Sequence, residues 1–183
     1  MRWRTVAVQW VTVLVLLGAL AVIQIYHPEW TGIDVGRTPA SGNDYHAIDG
    51  DSFKAGNIEI RLYGIDAPEF SQTCSDKGRQ QACGRMARDV LSKLIRNKDV
   101  NCKIIDRDRY GRQVSVCRDG ALEINREMVR LGWAVAYRKH ALDYVGAERE
   151  AKAAKRGIWA WAFEMPEEYR ARNKVLQGSM GED

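Results

Sequence analysis

Three acids and two arginines in this chain have the types and spacing to do chemistry on a phosphate. Asp51 follows the turn Asp49-Gly50, Asp66 and Glu69 flank Ala67-Pro68, Arg61 lies shortly before them, and Arg112 closes the run Asp108-Arg109-Tyr110-Gly111-Arg112. Carboxylate and carbonyl oxygens suit a hard cation such as Ca²⁺ or Mg²⁺. Guanidinium forks match phosphate oxygens and keep their charge. A base for water, two arginines and a hard cation are what phosphodiester hydrolysis requires. Each residue also has a plainer account. Asp51 and Asp66 suit turns, Glu69 suits a solvated surface, and Arg112 follows Tyr110-Gly111 in a turn and could be exposed.

The stretch Ile60 to Glu69 is the element that must position most of this set. Alternation sends Ile60 and Leu62, with Ile65, toward a core and Arg61 and Tyr63 to the other face. Pro68 cannot donate to a sheet ladder, so the strand should stop near Asp66. Upstream, Tyr45 to Tyr63 reads as a run of strands, with turns at Asp49-Gly50 and Gly56-Asn57. Asp66 to Gly84 reads as a loop. A helix follows, with Met86, Val90, Leu91, Leu94 and Ile95 on one face. Val100, Cys102 and Ile104 alternate, as do Val114 and Val116, which predicts an antiparallel pair joined by the loop Asp106 to Arg112. Ile124 to Leu131 predicts a short helix stopped by Gly132, and Tyr144 to Arg156 a helix stopped by Gly157. Trp159, Trp161 and Phe163 should pack back on the domain, and a polar tail should follow. Strands with one inserted helix and helices at the end predict an α+β fold, with a small barrel as the pattern's best match.

The first segment differs in kind. Met1 to Arg4 is short and basic, and Val6 to Tyr26 is almost wholly apolar. That length matches a membrane-spanning helix, with Arg2 and Arg4 on the cytoplasmic side. Ala19-Leu20-Ala21 has the form of a signal-peptide cleavage site, so removal of the leader is the competing reading. Either predicts export: a cell-membrane anchor through residues 6–26 with the domain on the periplasmic or extracellular side, or secretion. Residues 27–43 hold Pro28, Gly32, Gly36, Pro39 and Gly42 and read as a linker. The predicted organisation is therefore 1–26 anchor or signal, 27–43 linker, 44–165 domain and 166–183 tail. The whole chain has 183 residues and a net charge of +4, to which Arg2 and Arg4 contribute two. So weak a basic bias permits a polyanionic substrate without pointing to one.

Four cysteines, Cys74, Cys83, Cys102 and Cys117, allow three pairings. Local bridges 74–83 and 102–117 are the simplest solution, and export permits them. No close C-x-x-C pair exists to suggest structural zinc. The histidines His27, His46 and His140 show no ligand spacing.

The segments Ile48-Asp49-Gly50-Asp51-Ser52, Arg61-Leu62-Tyr63-Gly64-Ile65-Asp66-Ala67-Pro68-Glu69 and Asp108-Arg109-Tyr110-Gly111-Arg112 resemble, in order and spacing, the three signatures of the staphylococcal nuclease (thermonuclease) family. Val129-Arg130-Leu131-Gly132-Trp133-Ala134 and Ala154-Lys155-Arg156-Gly157-Ile158-Trp159 resemble its later stretches, so the likeness covers about residues 45–161. It implies a five-stranded OB-fold barrel with about three helices. It also implies Ca²⁺-dependent cleavage of DNA and RNA, leaving 3′-phosphate ends. Asp51 and Asp66 would hold the ion through side chains. Ala67 would use its carbonyl, in place of the family's threonine. Glu69 would serve as general base or orient the attacking water, Arg61 and Arg112 would bind the phosphate, and Tyr110 and Tyr137 would line the nucleotide pocket. The two tyrosines could equally be half-buried structural residues. The Cys74 to Cys83 segment departs from the family pattern. No protein partner is implied, and a monomer is expected. The alternatives to a nuclease are a non-catalytic OB module that binds nucleic acid or protein at the envelope, and a structural envelope platform.

Overall fold

Short turns between apolar runs fold here as hairpins. The computed structural model describes residues 44–179. Strands Tyr45–Ala47 (β1), Ser52–Ala55 (β2) and Ile58–Leu62 (β3) form an antiparallel meander, with Gly56 at φ +59° in the second turn. The expected single strand through Asp66 is broken at Gly64, where φ is +73°, and Ile65–Asp66 resumes as a separate strand, β4. A Cβ on Gly64 would lie 2.8 Å from Ala141 and Tyr144, so that bend is close-packed as well as left-handed.

The segment expected to be a loop holds a hairpin of Cys74–Asp76 (β5) and Arg79–Gln81 (β6). Lys77 and Gly78, both at positive φ, make its turn, and Cys74 is bonded to Cys83. Helix α1 follows at Cys83–Ile95. Its buried residues are Cys83, Gly84, Ala87, Leu91 and Ile95, whereas Met86 is exposed and Val90 and Leu94 are half-buried. The buried face is thus rotated from the one expected, because small Ala87 and Gly84 allow close approach that the larger Met86 would block.

Val100–Arg107 (β7) and Gln113–Asp119 (β8) pair antiparallel, with Cys102 opposite Cys117 and bonded to it. Both disulfides follow the expected pairing. Leu122–Glu123 (β9) turns back to pair antiparallel with the end of β8 and leads into helix α2, Ile124–Arg130. Val135–Ala136 (β10) pairs with β4, and α3 spans Val145–Ala153. A 3-10 turn at Gly157–Ala160 leads to α4, Pro166–Ser179. This last helix occupies most of the expected polar tail.

The main sheet runs β1-β2-β3-β8-β7, antiparallel except at β3–β8. No ladder joins β1 to β7 among the described residues, so the expected barrel is not closed by strand pairing. The Tyr45 hydroxyl donating to the Val100 carbonyl at 3.2 Å links those edges instead. The architecture is mixed α+β. Phe53, Ile60, Leu62, Leu91, Ile95, Ile124 and Met128 fill the main core. Trp133, Trp159, Trp161 and Phe163 surround a second cluster at the Cys74–Cys83 bridge, as the aromatic run suggested. The predicted membrane segment at 6–26 and the whole of the predicted linker at 27–43 lie outside the described residues. Among those described, no helix is long and apolar enough to cross a membrane.

Candidate active site

The parallel β3–β8 register is what brings the separated arginines together. Arg61 on β3 sits opposite Val114, and β8 begins directly after Arg112. Arg112 therefore enters beside the start of β3, with Nη1 3.8 Å from Glu59. The loop that delivers it is organised by Asp108. The Tyr110 and Arg112 amides donate to Asp108 Oδ1 at 2.9 and 3.0 Å, and Arg112 Nε donates to Oδ2 at 2.6 Å. Burial lifts the Asp108 carboxyl, but these bonds outweigh it and hold its pKa below the ordinary value.

Arg61, Glu69, Tyr110, Arg112 and Tyr137 all line one cleft of about 500 Å³, so the structure brings together the five expected catalytic and substrate-binding side chains. Tyr110 is 70% exposed at its rim, with the Arg109 and Arg112 guanidiniums 5.0 and 5.5 Å from its ring centroid. Tyr137 packs at 5.0 Å on His140, which also borders the cleft although its sequence spacing gave it no role.

The expected metal ligands lie behind that surface. Asp51, Asp66 and Ala67 are buried. Asp51 Oδ1 accepts from Arg61 Nη1 at 2.8 Å, and Oδ2 accepts from the Ala67 amide at 2.9 Å. Burial raises the Asp51 pKa well above the ordinary carboxylate value; Arg61 opposes this, and Asp49 and Asp66 add to it. Asp66 Oδ1 accepts from Arg61 Nη2 at 3.1 Å.

Helix α4 supplies a residue that local spacing could not reveal. Arg170 donates from Nη1 to Asp66 Oδ1 and Glu69 Oε1, both at 2.8 Å, and from Nη2 to Asp66 Oδ2 at 2.9 Å. Burial disfavours its charge, but Asp66 and Glu69 more than offset that and raise its pKa. Gln72 was also missed. Buried among polar backbone, it accepts the Glu69 amide at 3.2 Å and donates to the Glu164 carbonyl at 2.7 Å. It thus ties the Glu69 loop to the approach of α4. Gly84 holds the same loop from the other side, since any Cβ there would lie 1.7 Å from the Glu69 carbonyl oxygen.

In donor chemistry, the oxygens of Asp51, Asp66, Ala67 and Glu69 fit a hard cation. In placement, no group of three acids, histidines or cysteines stands ready to hold a metal among the described residues. Two guanidiniums, of Arg61 and Arg170, stand among the carboxylates.

The family model described as staphylococcal nuclease homologue matches residues 59–161, more than half the chain. This chain belongs to the staphylococcal nuclease homologue family. It is similar to an "Uncharacterized endonuclease" of Escherichia coli, 33% identical over 132 residues covering 68% of this chain and 80% of that one. A "Probable endonuclease" of Schizophyllum commune is 37% identical over 136 residues, covering 63% of this chain and 45% of its own. A "Probable staphylococcal-like nuclease" of Oryza sativa subsp. japonica is 36% identical over 112 residues, 60% of this chain and 27% of its own. The chain thus spans less than half the length of these fungal and plant relatives. Family membership and relatives named as endonucleases make this a hydrolase of the nuclease class.

Proposed function

We propose that this chain is an exported, Ca²⁺-dependent nuclease that hydrolyses phosphodiester bonds of DNA and RNA and leaves 3′-phosphate ends. The observation that carries this reading is the convergence of Arg61, Glu69 and Arg112 on one cleft, with Tyr110 and Tyr137 on its walls. Glu69 takes a proton from, or orients, the water that attacks phosphorus. Arg112 meets the phosphate oxygens and offsets the charge that builds on them. Arg61 has five N–H donors, so it can keep its bonds to Asp51 and Asp66 and still face a phosphate. Tyr110 and Tyr137 stack on a base or pack on a sugar. The side chains of Asp51 and Asp66 and the carbonyl of Ala67 would hold the ion, which when bound supplies Lewis-acid charge stabilisation at the phosphate.

Export is supported by the two disulfides, which persist in oxidising compartments. In this reading, residues 6–26 anchor the chain in the membrane or are removed, and the domain acts as a monomer. The sheet order and the Tyr45–Val100 link are consistent with an OB-like barrel drawn together at its edges.

A non-catalytic binding module is favoured by one observation, the guanidinium of Arg170 lying across Asp66 and Glu69. One assay separates the two. The full chain in detergent is mixed with single-stranded DNA or RNA, with Ca²⁺ or with chelator. The nuclease gives Ca²⁺-dependent, 3′-phosphorylated products. A binding module retards the strand and leaves it whole in both buffers.

A further inference from the structure

We propose that Arg170 is an internal competitor for the divalent cation, and that helix α4 leaves the acids when the ion binds. This rests on the reading that Asp66 is a metal ligand. Both Asp66 oxygens already accept guanidinium bonds, Oδ1 from Arg61 and Arg170 and Oδ2 from Arg170. Glu69, the acid assigned to the attacking water, shares the same guanidinium. An ion bound directly by Asp66 must displace at least one of these bonds. Arg61 is fixed within a sheet strand and shared with Asp51, whereas Arg170 arrives on α4, which joins no sheet and is mostly exposed. Charge points the same way. A divalent ion in place of Arg170 balances Asp51, Asp66, Glu69 and Arg61, whereas one added beside it crowds three cations at contact distance.

The attachment of α4 suits release. Of its described side chains, Pro166 alone is buried, and Val175 is 72% exposed. The polar contacts that tie it to the body are Tyr169 with Ser71 at 3.3 Å, Glu167 with Lys139, and the Arg170 clamp. Little apolar surface would be uncovered if it swung away. Gln72 holds the Glu164 carbonyl just before the helix, which places the hinge near Met165-Pro166. The removed guanidinium would also free the Glu69 carboxylate for its proposed work, so ion entry and base exposure become one event.

The test uses the full chain in detergent, with Ca²⁺ as the probe. Calorimetry gives its affinity, and amide exchange followed by mass spectrometry reports residues 166–179. The expected wild-type result is faster exchange in that segment once Ca²⁺ is bound. Arg170→Gln should bind Ca²⁺ at least tenfold more tightly and exchange quickly there with or without the ion. Glu167→Gln, which loosens the helix without touching the acids, should shift affinity in the same direction by a smaller factor. Asp66→Asn should abolish binding. Equal or weaker Ca²⁺ affinity in Arg170→Gln, with binding intact in wild type, overturns the competition while sparing the metal reading. Ca²⁺ binding that leaves exchange at 166–179 unchanged overturns the release. Failure of both wild type and Arg170→Gln to bind Ca²⁺ at millimolar concentration removes the metal reading and this inference with it.

Discussion

The two walls of the cleft place their arginines by opposite means. On one, Arg61 and Arg170 are threaded among buried Asp51 and Asp66, drawing on strand β3, the strand β4 exit and helix α4. On the other, Arg112 is held by Asp108 within its own loop, four residues away. The first arrangement depends on the whole fold and carries desolvated charge; the second is local and partly wet. Losing one partner of a set built on fully buried acids leaves a charge uncompensated, whereas losing one partner of a half-buried pair that water still reaches costs less. One wall should therefore couple chemistry to stability, and the other should not.

The largest effect expected from this contrast is on turnover. Arg112→Ala should lower kcat by about 10²–10³-fold, the usual loss when a charge-stabilising donor is removed, while stability falls by no more than about 1 kcal/mol. Arg61→Ala should lose activity and also about 3 kcal/mol or more of stability, because Asp51 is left buried without its guanidinium. Urea titrations of both variants measure this; equal stability losses would erase the distinction between the walls.

Next in size is the Cys102–Cys117 bridge, which pins the strands that carry the Arg112 loop. Replacing both cysteines by alanine should cost about 2–4 kcal/mol. It should also raise amide exchange in residues 106–112 while leaving the Asp66–Glu69 segment protected. Equal loosening of both segments would show that the loop is not independent.

Smaller again is Tyr110→Ala. Its ring is exposed at the rim, so melting should not change, while KM for single-stranded DNA should rise several-fold through lost stacking, worth about 1–3 kcal/mol per base at most. Steady-state kinetics at fixed ionic strength would show it, and an unchanged KM removes Tyr110 from the substrate path.

The smallest effect is a difference in sign with pH, measured in chelator. Asp51 has a raised folded pKa, so its contribution to stability is present at acid pH and is lost as pH rises through that value. Asp108 has a depressed folded pKa, so its contribution is present above the unfolded value near ~4 and is lost as pH falls through the folded one. Relative to Asp51→Asn, wild type should gain stability toward acid; relative to Asp108→Asn, it should lose it. Matching trends would deny that the two walls differ electrostatically.

How much of this was legible depended on how far apart the partners lie in the chain. Arg61, Asp66 and Glu69 could be grouped because alternation and Pro68 put them on one strand and its exit, and Asp51 came with the upstream Asp49-Gly50 turn. Arg112 came with a loop between two alternating runs. Arg170 could not be found that way, since its partner Asp66 lies 104 residues earlier and α4 has no apolar stripe to advertise a docked face. A weaker signal was present: Pro166 followed by Glu167 and Glu168 is a helix start that complements the helix dipole. The hairpin at Cys74–Gln81 likewise carried a Lys77-Gly78 turn, but its short strands lack apolar alternation. The rotation of α1 toward Ala87 was hidden because small residues pack closely without standing out as hydrophobic.

The most direct test of the account is the turnover of Glu69→Gln on single-stranded DNA with Ca²⁺, measured beside its affinity for the same strand and its melting temperature. If Glu69 works on the attacking water, kcat falls by about 10²–10⁴-fold while affinity and melting stay close to wild type. A variant that cleaves at the wild-type rate would contradict the assignment of this cleft as the catalytic centre.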